Sequence, residues 1–340
     1  PMTHKHTVLA LVSLLPVCLT LTCDKSPTGP EPFKDPRTYT WTVDTLAYPD
    51  AFQTNMEDIA GTAANNVYAV GFNSTSSAGT MFRFDGKSWK TTGFHMTEGG
   101  PIVGAVDFSS LLAFSANNIW FVGDRSRLNP HPPPNFIDSS FILHYDGTSW
   151  QEHKAYGGRL LQSIDGISPN DIWACGWYGT LVHYNGVQWE RDSMPLSVPE
   201  GWFFALKDIV VTPAQTVYAI GYAQKLGELT RFYFFQRSAN RWTLVDSVAP
   251  RGDADIRWGT VDMWASPSGA LYSVGGVGVF RWDGSRWIKM YDSPEPLSRI
   301  WGYSDDSFFV GGYATLLHWN GRDFFRYPDL INYPTNNKGI

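Results

Sequence analysis

Five stretches of the chain are variants of one phrase: FRFDGKSW (82–89), LHYDGTSW (143–150), VHYNGVQW (182–189), FRWDGSRW (280–287) and LHWNGRDF (317–324). A His, a Tyr and an Asp side by side invite a catalytic reading. Chemistry, however, is normally performed once per domain, and this phrase recurs at near-regular intervals. In each copy apolar and polar residues alternate on both sides of Asp-Gly or Asn-Gly, the strongest short-range signal for a β-hairpin. Asp146-Gly147 is expected to be a two-residue type I′ turn with Trp150 on the returning strand. One further unit departs from the phrase, FYFFQRSANRW (232–242), and predicts a longer turn that keeps Trp242.

Two other pieces precede each hairpin. The first is an apolar stretch ending in Ser or Thr, as in DIAGT (58–62), LLAFS (111–115), IDGIS (164–168), DIVVT (208–212), DMWAS (262–266) and IWGYS (300–304). The second, after a short turn, is a strand ending in Gly: VYAVG (67–71), IWFVG (119–123), IWACG (172–176), VYAIG (217–221), LYSVG (271–275) and FFVG (308–311). Four short antiparallel strands repeated six times predict an all-β fold, a β-propeller of four-stranded blades. One small sheet cannot bury both faces alone, so blades stack radially and the Trp, Tyr and Phe positions fill the gaps. The units resemble the Asp-box (BNR-like) and related tryptophan-rich bacterial propeller repeats over roughly residues 55–330. That resemblance implies the propeller fold and no particular activity.

Composition agrees with strands: aromatics make up 15% of the 340 residues, with 15 Trp, and charged residues only 17%. The net charge of −6 is spread without a basic stripe, which argues against nucleic acid and against a polybasic membrane patch. The N-terminus, MTHKHTVLALVSLLPVCLTLTC (2–23), has a basic start and an apolar run of signal-peptide length. It resembles a bacterial lipoprotein signal, which implies a signal peptide over 1–22, lipid on Cys23 and a Pro-rich tether over 23–38 ahead of a single propeller domain, 39–340. Cys175 then stands alone in an apolar strand and is expected to be core filling.

Blade number has two readings. YTWTVDTL (39–46) looks like an added outer strand that closes six blades, while the tail INYPTNNKGI (331–340) resembles the loop into a seventh; the seven-bladed reading is slightly preferred.

Antiparallel order places the short A–B turns and C–D hairpins on one face and the variable B–C and D–A connections on the other. The longest of these, DRSRLNPHPPPNFIDSS (124–140), is expected to be a loop. Function tends to sit on variable loops held by a rigid scaffold, so a ligand-binding site is expected there. The candidates are Trp177, Tyr178, Tyr222, Trp202, Arg257, Trp258, Arg299, Tyr313 and Asp124, with Arg159 nearby. Exposed aromatics beside Arg suit either sugar rings or a protein hot spot. Asp58, Asp208 and Asp262 occupy one register position and are expected to line the channel, with Leu111, Ile164 and Ile300 in the other units. His144, His183 and His318 repeat on separate blades and do not converge, so no metal and no cofactor is expected.

The leading expectation is an exported bacterial protein, a surface-tethered envelope lipoprotein or else a secreted one, that is a non-enzymatic binder of a glycan or of an envelope or extracellular protein, touching membrane only through its N-terminal lipid. No nucleophile elbow, zinc-protease motif or phosphate-cradling loop occurs. The alternatives are a glycosidase or lyase using paired carboxylates among Glu200, Asp253 and Asp255, and an envelope-complex assembly factor. The sialidase-like branch of the Asp-box propellers uses an arginine cluster, which Arg159, Arg257 and Arg299 echo.

Overall fold

Each Asp-Gly or Asn-Gly pair sits at a chain reversal in the computed structural model, which describes residues 35–49, 51–74, 80–91, 105–154 and 160–328. The connection is four residues long rather than two. Tyr145 pairs with Trp150, and the same spacing separates Phe84 from Trp89, Tyr184 from Trp189, Trp282 from Trp287 and Trp319 from Phe324. Asp146 Oδ1 accepts the backbone N–H of Ser149 at 2.7 Å and of Thr148 at 2.8 Å, and Asn185, Asp283 and Asn320 fold their turns the same way. The side chain supplies the acceptor that bends the chain, while Gly alone supplies positive φ, +95° at Gly147. These N–H donors hold the Asp146 carboxyl below its usual range and bring that of Asp283 down to about 2, with Arg286 N–H the largest contributor there. The two-residue turn occurs in the unit that the sequence set apart: Ser238 pairs with Arg241, and Ala239 and Asn240 both have positive φ, 48° and 61°.

A Cβ on Gly147 would lie 2.4 Å from Asn117 Oδ1 in addition to the left-handed backbone. Gly147→Ala is expected to cost about 1–2 kcal/mol, read as a lower midpoint in urea, whereas Thr148→Ala at the next position changes the unfolding free energy by no more than about 0.5 kcal/mol.

The strands form six four-stranded antiparallel sheets arranged as a six-bladed propeller. Blade one holds β1 (Thr54–Ala63), β2 (Asn66–Asn73), β3 (Thr80–Phe84) and β4 (Trp89–Thr91); blade two holds β5 (Ala105–Ser115), β6 (Asn118–Leu128), β7 (Phe136–Tyr145) and β8 (Trp150–His153). Blade three holds β9 (Leu161–Ser168), β10 (Asp171–Gly176), β11 (Leu181–Tyr184) and β12 (Trp189–Arg191). Blade four holds β13 (Phe203–Val211), β14 (Val217–Gln224), β15 (Arg231–Ser238) and β16 (Arg241–Val248). Blade five holds β17 (Asp262–Ala265), β18 (Leu271–Gly275), β19 (Gly278–Trp282) and β20 (Trp287–Asp292). Blade six holds β21 (Leu297–Ser304), β22 (Ser307–Gly312), β23 (Thr315–Trp319) and β24 (Phe324–Arg326).

The chain divides at Thr38: residues 39–340 form the propeller unit, and the preceding unit carries a 3₁₀ turn at Pro36–Thr38. Tyr39–Tyr48 does not join a sheet, so blade six is completed by its own β24 and not by an added N-terminal strand. The signal stretch, Cys23, Arg159, the middle of the 72–80 connection and the tail 331–340 lie outside the described residues.

Buried clusters occupy the seams between successive blades. Tyr68, Val70 and Met81 of blade one meet Phe108, Leu111 and Phe121 of blade two. Trp120 meets Ile164 and Trp189, and Trp173 and Cys175 meet Ile209 and Trp242. Phe234 meets Trp258 and Met263, and Trp264 and Tyr272 meet Ile300 and Phe308. Cys175 is thus core, and burial pushes its thiol well up.

The repeated His residues belong to this packing. His144 and His183 stack on Trp120 and Trp173 at 4.1 Å. Each also reaches the residue that starts strand B, Asn118 Oδ1 at 3.1 Å and Asp171 Oδ1 at 2.7 Å. The same two oxygens accept the indole N–H of those tryptophans. In blades two and three one polar side chain therefore satisfies two rings, while His318 of blade six meets Ser307 Oγ at 3.2 Å instead.

Candidate functional site

The loop face is built differently on different blades. The 124–140 stretch is not a loop through most of its length: β6 and β7 pair as far as Leu128 with Phe136 and project a ribbon from blade two. Blade four is also tall, with Phe203 paired to Gln224 and Phe232 to Val248. Between them β10 and β11 of blade three are short, and the chain turns tightly through Trp177, Tyr178, Gly179 and Thr180, closed by Gly176 N–H to Thr180 O at 2.9 Å.

That turn leans on blade four. Trp177 forms an isolated bridge with Ala205, and Phe203 stands at the centre of an aromatic group. Its ring centroid lies 5.5 Å from Trp177 and 5.2 Å from Tyr178, both edge-on, and 6.1 Å from Tyr222. Tyr178 is 59% exposed and has φ of +57°, a backbone state that costs a bulky residue about 1 kcal/mol or more and that the surrounding contacts must hold. Burial raises the Tyr222 phenol above its ordinary value, so it is a neutral hydrogen-bonding group at neutral pH. Trp202, one residue before Phe203, is half-buried against the core cluster of blades three and four, with the Arg231 guanidinium 4.5 Å above its ring. The sequence reading missed Phe203 and Arg231. The run Trp202-Phe203-Phe204 was the available signal, but nothing in it says which ring turns outward.

The other candidates do not join this group. Tyr313 is 76% exposed on blade six, across the ring from blade three. Asp124 lies within the blade-two sheet, paired with Asp107 and Ser140. Arg257 bonds Asp246 Oδ1 at 2.6 Å and Ser247 O at 2.7 Å. Trp258 departs from the expected exposed aromatic: it is fully buried against Phe234. Strand A of blade five starts late, at Asp262, and the chain ahead of it dives between blades four and five, fixed by Gly259 N–H to Ser273 Oγ at 2.9 Å. Asp253 and Asp255 share an exposed 3₁₀ turn, where Asp255 accepts the Arg251 N–H at 2.8 Å.

Arg299 belongs instead with the channel carboxylates. Register shows that Asp58, Asp208 and Asp262 are equivalent to Ser110, Ser163 and Arg299, one per blade. Counting back from the Ser or Thr that ends strand A points instead to Leu111, Ile164 and Ile300, one residue too far. A bulge precedes the position in β1, β5, β13 and β21 and re-aims it.

Each carboxylate reaches the next blade. Asp58 Oδ2 accepts Ser110 Oγ–H at 2.8 Å and Leu111 N–H at 2.9 Å. Asp208 accepts Ser163 Oγ–H and Met263 N–H, both at 2.6 Å, and Asp262 Oδ2 accepts Ile300 N–H at 2.8 Å. Arg299 completes the ring by donating to Glu57 O of blade one at 2.8 Å.

Burial raises the carboxyls of Asp58, Asp208 and Asp262 above the usual range. It also works against the Arg299 charge, which the carboxylates of Asp262, Asp58, Asp208 and Glu57 more than offset, so the guanidinium pKa is raised. Among the described residues no three His, Cys, Asp or Glu side chains are grouped as a metal ion would require. The oxygens of this ring are engaged in joining blades.

No known family's sequence profile matches the chain. It is similar to the immune protein Tsi7 of Pseudomonas aeruginosa strain PAO1, 24% identical over 213 residues. The match covers 61% of this chain and spans 56% of the length of that relative. In fold it is similar to YCF48, solved bound to a D1 peptide, with a TM-score of 0.54 and 15% identity over 84% of each chain.

Proposed function

We propose that this protein is an exported, non-enzymatic propeller of the Asp-box-like kind that binds an envelope or extracellular protein through the loop face of blades three and four. The observation that carries this reading is the outward Tyr178, set in a strained turn and backed by Trp177, Phe203 and Tyr222. Rigid aromatics around an exposed phenol are what a protein hot spot uses. The peptide held by YCF48 and the immune role named for Tsi7 both favour a protein ligand over a small molecule. Residues 1–22 serve as signal peptide, Cys23 carries lipid, and 23–38 tether the 39–340 propeller to the surface. No cofactor is assigned.

A second reading has its own support. Trp202 under Arg231 also suits a sugar carrying a carboxylate. The two separate in one experiment: native gels cast with a panel of polysaccharides, run beside a panel of immobilised peptides. The paired substitution Tyr178→Ala, Tyr222→Ala is expected to weaken peptide binding at least tenfold with little change in thermal midpoint. Retardation by a polysaccharide that the pair abolishes would transfer the site to a glycan. If neither panel binds, or if binding survives the substitutions, the loop-face reading fails.

A further inference from the structure

The seam between blades six and one differs from the other five in two respects. The first is the ring itself. Where short Asp and Ser side chains cross four of the other seams, this seam uses the long guanidinium of Arg299, which reaches to Glu57 O.

The second is exposure. The residue after the ring position faces the preceding blade and is buried in five blades, at 5% or less for Leu111, Ile164, Ile209, Met263 and Ile300. Its equivalent in blade one, Ile59, is 61% exposed. On the facing wall, Trp301 and Tyr303 of β21 are each 57% exposed. Trp264, the counterpart of Trp301 on blade five, is buried against Phe308 of blade six at 5.7 Å. Ile59 therefore stands exposed where the other five blades bury its equivalent, and Trp301 stands exposed where blade five buries Trp264.

The outer part of this seam is already occupied. Tyr39–Tyr48 is unpaired chain there, with Trp41 5.9 Å from Phe309 and 5.3 Å from Tyr327 of blade six. On the other side Tyr48 stands 6.5 Å from Phe82, and Asp44 accepts the Trp89 indole N–H at 3.2 Å. The filling the seam accepts is thus a non-helical chain that inserts aromatic side chains between two sheets. The inner part, beyond Arg299 towards the A–B turns, is lined by Ile59, Trp301 and Tyr303. Its rim carries the exposed Asp306 on blade six and the uncharged Ala64 and Asn65 on blade one; Asp305 beside it turns to blade five, where it accepts from Ser268 and Tyr272.

We propose that the inner part of the seam between blades six and one is a second binding site, opening on the hairpin face, for an extended segment of a partner protein with apolar side chains at alternate positions and a basic residue at its end. Period-two side chains fit because each wall is a sheet face. Continuity with the filled outer seam supplies the mode of insertion, and Asp306 supplies the preference for positive charge. The site is separate from the loop face, since Trp301 and Tyr303 lie on the far side of Arg299 from it.

The test uses the full chain and labelled eight-residue peptides with Phe, Ile or Trp at alternate positions, Ser between them, and either Lys or Glu at both ends. Fluorescence anisotropy is expected to show binding of the Lys-ended set, weakened at least tenfold by Trp301→Ala and by Ile59→Glu. Asp306→Asn narrows the Lys-over-Glu preference. Both wall positions are exposed, so the variants keep the wild-type thermal midpoint. Tyr178→Ala leaves this binding unchanged, which separates the slot from the loop face.

Absence of binding by every peptide overturns the proposal, as does binding that ignores both wall substitutions. Binding that appears only when the chain is cut after Pro328 would give the slot to the protein's own tail. Dimerisation abolished by Ile59→Glu would give it to a second copy. Either outcome also overturns the proposal.

Discussion

Asp208→Ala is expected to lower the free energy of unfolding by about 2–3 kcal/mol, the largest loss from any single member of the channel ring. Asp208 sits on blade four but serves three blades. One oxygen accepts Ser163 Oγ–H of blade three and the other accepts Met263 N–H of blade five. Truncation leaves a buried N–H without an acceptor, which costs about 1–3 kcal/mol by itself, and removes a hydrogen bond across a second seam. Relief from the neighbouring Asp262 charge, which Asp208 helps to push up, offsets only part of this. Asp208→Asn keeps an acceptor for Met263 N–H and is expected to lose less than about 1 kcal/mol. Equilibrium urea unfolding of the two variants decides it. Equal losses for Ala and Asn would mean that the ring acts through charge and not through the N–H groups it satisfies.

The architecture was readable because its signals are local and repeated. Asp-Gly or Asn-Gly after alternating residues marks a reversal wherever it occurs, and five copies among six repeated units leave little else than a propeller. The turn chemistry was less readable. Whether Asp-Gly closes a two-residue turn or opens a four-residue one depends on whether the Asp side chain takes the N–H groups two and three residues on, and at Asp146 it does. The unit lacking that motif formed the two-residue turn at Ala239-Asn240 instead. The ring position was misplaced by one residue in three blades because the Ser or Thr that marks the end of strand A follows it by four residues at Thr62, Thr212 and Ser266 but by five at Ser115, Ser168 and Ser304.

The candidate site was readable only in part. Trp177, Tyr178 and Tyr222 do gather, because B–C turns of adjacent blades face one another. Trp258 looked equivalent to Trp202, each following a long D–A connection, yet one is half-buried beneath an Arg and the other is wholly core. The difference is where strand A begins: at Phe203 in blade four, immediately after its Trp, but only at Asp262 in blade five. Such starting points are set by packing between sheets, which sequence periodicity does not record. The open seam was beyond sequence altogether. Ile59 and Ile300 are the same residue at equivalent register positions, and only the neighbouring blade makes one core and the other surface.

Acid is expected to stabilise the protein at one site and destabilise it at another, and two substitutions separate them. Asp165, on β9 and bonded to Val211 N–H at 2.7 Å, has its carboxyl pushed up to about 7, chiefly by burial. An unfolded Asp titrates near 3.8, so between these values the fold holds a proton that the open chain has released. The contribution of Asp165 is therefore fully present below pH 3.8 and is lost as pH rises through 7, a span worth roughly 4 kcal/mol.

His153 works in the opposite direction. Burial, with His144 adding to it, brings its imidazole down to about 4 from 6.5. Its contribution is present above pH 6.5 and is lost as pH falls towards 4. In the wild type the two slopes oppose each other over the same range and partly cancel. Asp165→Asn keeps an acceptor for Val211 N–H and removes one slope. It should be more stable than wild type at about pH 8, with the advantage gone by about pH 4. His153→Gln should gain on wild type only below about pH 6. Unfolding free energies at about pH 8, 6 and 4 check both, and curves running parallel to wild type would mean that neither group changes its proton affinity on folding.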